Sequence, residues 1–316
     1  MPYAKRLQAD LHRTKGQRLS SHLAGTRRLT PYRLFAVCLT AMLCFSTQAA
    51  TPTAGRLVAG IAHIESQYGG RLGVAVLDSA TGRIASYRGD ERFPMCSTFK
   101  IFAAAAMLAN VDAGSERLNR RITYEPKDLV IYSPITRGHL TDGMTLGALA
   151  RAAVRWSDNS AANLVLDSFG GPDALNTYLR GLGDRVTRLD SREPICSQIV
   201  AGSVANTSTP VAMVGTMRSI LLGDALTASS RRRLTGWMID GRTGDKRLRA
   251  GLPASWRVGD KTGSGDLATA NDVAIAWPPH GPPLLIAVFF TGAPGAVDRD
   301  RPIADVGRLI GRLYTN

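Results

Sequence analysis

Strand patterns stand at both ends of the chain, and this feature constrains the fold more than any other. RLGVAVLD (71–78) and RIASYR (83–88) alternate like strands around the turn S-A-T-G, as a hairpin does. Three more strand patterns occur near the other end: WRVGDKTGS (256–264), DVAIAWP (272–278) and PLLIAVFFTG (283–292).

Helical patterns fill the segment between these strands, from Thr98 to about Asp240. The segments with this spacing are IFAAAAML, MTLGALARAAVRW, AANLVLDSF, DALNTYLRGL, TPVAMVGTMRSILLG and SSRRRLTGWMI. A first helix is predicted before Gly69-Gly70, which stops it, and a last helix from about Arg301 to Leu313.

These patterns predict an α+β fold, specifically an α/β/α sandwich. Both chain ends build an antiparallel sheet flanked by the terminal helices, and an all-helical domain is inserted between them. We predict an α/β domain over 50–90 and 241–316 and a helical domain over 91–240. A cleft between the two is the expected place for an active site.

The first 49 residues have the pattern of a signal peptide. Basic residues precede the apolar run Leu34–Phe45, which is too short to span a bilayer, and the small residues S-T-Q-A-A follow. The pattern predicts cleavage near Ala49, export to the periplasm and no membrane contact afterwards; a retained anchor is the alternative. Cys96 and Cys196 then remain in an oxidising compartment.

The charge distribution argues against a nucleic-acid partner. Residues 1–50 hold eight of the 39 Lys and Arg residues and one of the 25 acids, which is half of the net charge of +14. The remaining basic residues are scattered, as on a solvated surface. The five histidines lack ligand spacing, so we expect no metal and no cofactor.

Three short motifs fall at element boundaries. Ser97 and Lys100 open a helix, where the serine is either an N-cap or a nucleophile beside a lysine whose pKa the helix terminus lowers. Ser157-Asp158-Asn159 connects two helices, and Lys261-Thr262-Gly263 lies on a strand, where it is either an exposed edge or an anion site.

A fourth candidate, Glu193, lies in a polar loop without helical or alternating period. Pro194 follows it and biases its backbone toward an extended conformation. An isolated loop glutamate is usually solvated surface. Together with the three motifs it becomes a candidate base.

The trio in this order is known from class A β-lactamases and penicillin-binding proteins, and the chain resembles a class A serine β-lactamase over nearly all of residues 55–316. The match includes YSPIT (132–136), HLTDGMTL (139–146), SDNSAANL (157–164), E-P (193–194) and DKTGSGD (260–266).

The resemblance implies the role of each site residue. Ser97 is the nucleophile, Lys100 or Glu193 its base, and Ser157 the proton donor to the β-lactam nitrogen. The backbone N–H groups of Ser97 and Ser264 form the oxyanion hole. The substrate-binding residues it implies are Tyr132, Asn159, Lys261, Thr262, Gly263, Ser264 and Arg247; Asn163 and Ser197 support Glu193 and its water.

Several positions depart from the family pattern. Ser191 and Asn206 stand where an arginine and an aspartate usually pair, and Ser197 replaces an asparagine beside the deacylating water. These changes predict a looser loop that admits larger substrates, including oxyimino-cephalosporins. Arg247 and Ser264 match a subset that includes carbapenem-hydrolysing members, which extends the prediction to carbapenems.

The resemblance implies a monomer that acts on β-lactams and confers antibiotic resistance. Two rivals stay open: a penicillin-binding D,D-peptidase and a β-lactam sensor that remains acylated. Glu193 argues against both, because they need no base for deacylation. In some relatives a cysteine at position 96 pairs with one after K-T-G, where this chain has Gly265. Two buried unpaired cysteines are therefore the simpler expectation, with a Cys96–Cys196 disulfide as the alternative.

Overall fold

A five-stranded antiparallel sheet forms the centre of the fold. The computed structural model describes residues 52–197, 199–200, 202–293 and 298–315, so the predicted signal peptide lies outside the described residues. In chain order the strands are β1 (Arg71–Asp78), β2 (Ile84–Tyr87), β3 (Phe93–Pro94), β4 (Arg121–Ile122), β5 (Met144–Thr145), β6 (Thr207–Ser208), β7 (Arg257–Ser264), β8 (Ala270–Trp277) and β9 (Leu284–Thr291). The sheet order is β2-β1-β9-β8-β7, and β3–β6 and β4–β5 form two small pairs.

The helices are α1 (Pro52–Tyr68), α2 (Lys100–Asp112), α3 (Leu146–Arg155), α4 (Asn159–Asp167), α5 (Gly171–Gly181), α6 (Pro210–Leu221), α7 (Ala228–Ile239), α8 (Leu248–Gly251) and α9 (Arg301–Tyr314). Short 3₁₀ turns cover Cys96–Phe99, Pro126–Asp128 and Thr136–His139. Among the described helices, none combines the length and apolarity needed to cross a membrane.

The two faces of the sheet pack in different cores, as the predicted α/β/α sandwich requires. Side chains alternate along β1, so Val74 joins α1, α8 and α9 on one face. Leu77 belongs to the other core, which contains α2 to α7. The described residues from 52 onward belong to one compact unit. The boundaries 50–90, 91–240 and 241–316 therefore stay a prediction.

One helix of the middle segment lies on the sheet itself. Helix α6 packs on β1 and β9, while α2 packs among α3, α4, α5 and α7. Segment 91–240 therefore supplies both the third layer of the sandwich and the helical body beside β7. The 3₁₀ turn that precedes α2 contacts β7 and β8, which brings Ser97 to the edge of the sheet.

Candidate active site

A cavity of about 410 Å³ opens between the turn before α2, the α3–α4 connection, the loop around Glu193 and the end of β7. The predicted site residues that line it are Ser97, Tyr132, Ser157, Asn159, Glu193, Ser197, Arg247, Thr262 and Ser264. Lys100, Asn163 and Lys261 lie behind this lining and bond to it, and Gly263 sits between two lining residues of β7.

Ser97 and Lys100 meet at one oxygen of Glu193. The Ser97 hydroxyl donates to Glu193 Oε1 at 2.9 Å, and Lys100 Nζ lies 2.8 Å from the same oxygen. Ser97 caps neither adjoining element, since Met95 and Phe99 hold the N-cap positions of its turn and of α2. Its hydroxyl bonds to Glu193 in the cavity instead, so the interpretation of Ser97 as an N-cap is wrong.

Lys100 is fully buried among acceptors at the first residue of α2. Its ammonium donates to Ser157 O at 2.8 Å and to Asn159 Oδ1 at 2.5 Å, besides Glu193. Burial lowers the pKa of Lys100 below its ordinary value of 10.5, against the opposing charge of Glu193. Burial, rather than the helix terminus that the sequence analysis invoked, is the largest cause.

Glu193 is buried, yet its pKa is lower than that of an ordinary glutamate. Burial raises its pKa, but the charge of Lys100 and hydrogen bonds from Lys100, Ile195 N–H and Ser97 outweigh this, so its pKa lies below 4.5. Asn163 brackets its main chain: Asn163 Oδ1 accepts from Glu193 N–H at 2.9 Å, and Nδ2 donates to Glu193 O at 3.1 Å. The Glu193–Pro194 peptide bond is cis.

Ser157 stands between two buried lysines. Its Oγ accepts from Lys261 Nζ at 3.0 Å and lies 3.5 Å from Lys100 Nζ. Burial and the charge of Lys100 lower the pKa of Lys261 well below its ordinary value of 10.5. Lys261 is thus buried although β7 is an edge strand of the sheet, so the interpretation of this motif as an exposed edge is wrong.

Asp158, a motif residue for which the sequence predicted no role, holds the motif in shape. Its buried carboxylate accepts from the N–H groups of Ile135 and Thr136, both at 2.9 Å, and from Ala161 N–H at 2.8 Å as the N-cap of α4. An aspartate before a helix is a recognisable cap signal in sequence. Its long-range bonds to residues 135 and 136 leave no such signal.

Three residues that line the cavity have left-handed backbones. The φ values of Cys96, Tyr132 and Ser157 are 47°, 62° and 58°. Each such non-glycine residue costs about 1–3 kcal/mol, and the surrounding structure has to hold it. At Tyr132 the partner is Asn159, whose N–H donates to Tyr132 O at 3.0 Å. Tyr132 is half-exposed and lines the cavity.

Arg247, the N-cap residue of α8, is buried beside the end of β7. It is 5% exposed and donates to Gly263 O, Asn271 O and Ser264 Oγ, each at 2.7 Å. It also pairs with Asp300 at 2.7 Å. Its guanidinium therefore links the Ser264 hydroxyl to the sheet edge at the cavity.

Thr243 is a second residue that the sequence analysis missed. It lines the cavity, and its hydroxyl lies 2.6 Å from that of Thr262. No motif marks it in the sequence. It reaches the site only because the segment between α7 and α8 passes beside β7.

The residues of the Glu193 loop that depart from the family pattern make their own contacts in the structure. Asn206 Nδ2 donates to Ser191 Oγ at 2.9 Å, so a neutral hydrogen bond occupies the place of the expected ion pair. Arg192, next to Ser191, pairs with Asp167 instead. Ser197 is exposed and donates to Pro194 O at 3.2 Å. Its predicted role beside a water stays a prediction.

Cys96 and Cys196 form a disulfide with a Cα–Cα distance of 5.3 Å. The expectation of two unpaired cysteines is therefore wrong, and the alternative holds. The sequence contained no signal for the pairing because 100 residues separate the two cysteines. Only the fold brings the turn that holds Ser97 and the Glu193 loop together.

Comparisons with known proteins agree with this fold. A family model described as the β-lactamase enzyme family matches residues 56–314. Beta-lactamase OXY-2 of Klebsiella oxytoca is 46% identical over 72% of this chain and 79% of its own. Beta-lactamase Toho-1 of Escherichia coli is 41% identical over 85% of this chain and 93% of its own.

Solved structures specify the class. An ancestral class A β-lactamase (GNCA) is 56% identical, covers 82% of this chain and all of its own, and superposes with a TM-score of 0.80. A putative class A β-lactamase (PenP) from Rhodopseudomonas palustris is 49% identical, covers 81% of this chain and 98% of its own, and gives a TM-score of 0.79. The chain belongs to the class A β-lactamases, hydrolases that open the β-lactam ring.

Proposed function

We propose that this enzyme hydrolyses penicillins and cephalosporins through a covalent acyl-enzyme on Ser97. One observation carries the proposal: the Ser97 hydroxyl and the Lys100 ammonium converge on Glu193 Oε1 at 2.9 and 2.8 Å. A nucleophile bonded to a buried carboxylate, with a lysine of lowered pKa on the same oxygen, has two groups able to take its proton: the carboxylate, or the lysine in its neutral form.

In the first half-reaction, Ser97 Oγ attacks the lactam carbonyl and its proton passes to Glu193 or Lys100. The backbone N–H groups of Ser97 and Ser264 stabilise the oxyanion, a contribution of about 3–4 kcal/mol per donor in related acyl transfers. Ser157, between Lys100 and Lys261, donates a proton to the ring nitrogen as the C–N bond breaks. The proton taken from Ser97 returns to Ser157 through Lys100, which lies next to both Glu193 and Ser157, so Glu193 is ionised again when the acyl-enzyme has formed.

Acylation then frees Glu193 for the second half-reaction. The acylated Ser97 oxygen has no proton, so its hydrogen bond to the carboxylate is lost. Glu193, with a pKa below 4.5, is ionised and accepts a proton from water that attacks the ester. This step separates the proposed enzyme from a D,D-peptidase or a sensor, which stays acylated.

Substrate binding is assigned to the end of β7 and the facing wall. We propose that Lys261, Thr262, Gly263, Ser264 and Arg247 hold the substrate carboxylate, while Asn159 and Tyr132 contact its amide side chain. The buried cations support this assignment, because a carboxylate at the cavity end of β7 faces Arg247 directly and Lys261 behind it.

The test is turnover of excess chromogenic cephalosporin, followed by intact-protein mass spectrometry. Steady hydrolysis with an adduct that maps to Ser97 is expected from the wild type. Glu193→Gln should hydrolyse about 10²- to 10⁴-fold more slowly and accumulate the adduct. A wild-type burst of one equivalent without turnover sinks the proposal and favours the sensor or peptidase.

We also propose an extended spectrum that includes oxyimino-cephalosporins and carbapenems. The neutral Ser191–Asn206 bond supports it, since a loop without the usual ion pair yields more readily to a large side chain. The test is the ratio of kcat/KM for an oxyimino-cephalosporin to that for a small penicillin, with carbapenem turnover measured in parallel. Ser191→Arg combined with Asn206→Asp should lower this ratio. Activity restricted to small penicillins contradicts the proposal.

Export to the periplasm, action there as a monomer and resistance to β-lactams are part of the same proposal. The leader pattern of residues 1–49 supports export. A chain that lacks these residues should be active in lysates but should not protect the cells. Equal protection with and without them contradicts export.

A further inference from the structure

We infer that the Cys96–Cys196 disulfide positions Glu193 for deacylation, beyond any contribution to stability. This inference rests on the proposed acyl-enzyme mechanism. Cys96 directly precedes the nucleophile Ser97, and Cys196 follows Glu193 by three residues. The disulfide and the Ser97–Glu193 hydrogen bond together close a short ring through the chain. When the disulfide is open, the Ser97–Glu193 hydrogen bond no longer closes a ring.

In the place of the family's ion pair, the outer part of the loop has hydrogen bonds to Asn206, whose N–H donates to the Asp190 carboxylate at 2.8 Å. Asn206 donates to Ser191 at 2.9 Å, and both residues lie at the surface side of the loop. Beyond Cys196 the apolar side chain of Val200 is 70% exposed and packs little. The covalent bond at Cys196 is therefore the strongest tie between the Glu193 segment and the nucleophile turn.

The same cysteine also fixes the distance to the end of β7. Asp266 N–H donates to Cys196 O at 3.0 Å. A Cβ at Gly265 would lie 2.5 Å from Cys196 Cβ, so only glycine lets the chain after Ser264 approach this closely. Cys196 thus connects the nucleophile turn, the Glu193 loop and the strand of the proposed oxyanion hole.

The two half-reactions should respond differently to opening the bond. With neutral Lys100 as the base, acylation uses Ser97, Lys100 and Ser157, and Lys100 is held by its buried bonds to Ser157 and Asn159. Deacylation needs the Glu193 carboxylate aligned with a water on the ester. A displacement of about 1 Å can slow an aligned step by about 10²-fold. A deacylation rate reduced about 10- to 100-fold with nearly unchanged acylation is therefore expected.

The experiment measures both rates separately in Cys196→Ser, Cys96→Ser/Cys196→Ser and wild type, by stopped-flow acylation and by decay of the mass-detected adduct. Cys196→Ser is the primary variant because it leaves the residue before Ser97 intact. Ser191→Ala is the matched control, since it removes a neutral link of the same loop. We expect adduct to accumulate in both cysteine variants and much less in Ser191→Ala.

A second measurement avoids dependence on variant folding. The wild-type chain is produced with both thiols reduced, and deacylation is followed in the same sample before and after oxidation closes the bond. Deacylation should accelerate on oxidation in the wild type and stay constant in Cys196→Ser. The inference is overturned if the wild-type deacylation rate stays constant on oxidation. It is also overturned if folded Cys196→Ser deacylates at the wild-type rate, or if Ser191→Ala slows deacylation as much as Cys196→Ser does.

Failure of the inference and failure of the mechanism are distinguishable. If neither wild type nor Glu193→Gln forms an adduct on Ser97, the proposed mechanism itself is wrong. If Glu193→Gln traps the adduct while Cys196→Ser turns over like wild type, only the positioning role is excluded. In the Glu193→Gln background, loss of the disulfide should change deacylation little, because the group that it positions is already gone.

Discussion

Asn163 makes two hydrogen bonds to the main chain of Glu193: its Oδ1 accepts from the N–H at 2.9 Å, and its Nδ2 donates to the carbonyl at 3.1 Å. Asn163→Ala removes both bonds and leaves two partly buried backbone groups without these partners. We expect the free energy of unfolding to fall by about 1–3 kcal/mol and deacylation to slow more than acylation. Chemical denaturation and single-turnover kinetics measure the two effects.

A matched control exists for the same loop. Asn176 makes the same pair of bonds to Leu189, accepting from its N–H at 2.9 Å and donating to its carbonyl at 2.7 Å. Asn176→Ala should lower stability by a similar amount while deacylation changes little. Equal kinetic losses in the two variants would show that general loosening of the loop, rather than the orientation of Glu193, sets the rate.

The two candidate bases predict different pH profiles. Glu193 has a pKa below 4.5, so the acid limb of deacylation should have its midpoint below that pH. If neutral Lys100 takes the Ser97 proton, acylation is lost as pH falls through the lowered pKa of Lys100, below 10.5. Separate profiles of the two steps decide this. If the acid limbs of the acylation and deacylation profiles coincide below pH 4.5, Glu193 accepts the proton in both steps.

Arg247 should act through the negative charge of the substrate. Arg247→Ala removes a buried guanidinium that lines the cavity, and a hydrogen bond to a charged group contributes about 1.5–3 kcal/mol. We expect KM for a penicillin to rise about 10- to 100-fold. The methyl ester of the same penicillin has no carboxylate and should lose far less. A comparable loss for the ester assigns Arg247 to the structure of β7 instead.

Gly265 should resist even a methyl group. In Gly265→Ala the new carbon would lie 2.5 Å from Cys196 Cβ and 2.8 Å from Cys196 O, and such overpacking costs about 1–3 kcal/mol. Gly236→Ala in α7 is the control, because nothing lies within 4 Å of its added carbon and alanine favours a helix by about 0.5–1 kcal/mol. Thermal unfolding of both variants checks the opposite signs.

The long elements were readable from the sequence because their periodicity is strong. RLGVAVLD alternates between two cores and forms β1 over its full length, and Gly69 ends α1 at Tyr68 as predicted. The two-residue strands β3 to β6 were not predicted, since two residues carry no period. Their pairing depends on tertiary contacts alone.

The site was predictable as a set of residues but not as a geometry. Ser97 and Glu193 are 96 positions apart, and no local pattern reports that their oxygens lie 2.9 Å apart. The burial of Arg247 and the left-handed backbone of Ser157 likewise depend on packing from distant segments. Sequence motifs identify the candidate residues, whereas the fold decides which of them touch.

The place of β9 in the sheet also has a consequence for synthesis. Residues 284–291 come late in the chain, yet they pair with β1 on one side and β8 on the other. Until they emerge from the ribosome or the export channel, β1 and β8 each present an unpaired edge that is open to aggregation. The enzyme should therefore gain its activity only when nearly the whole chain has been released, and prematurely terminated chains should be substrates for proteases rather than partial catalysts.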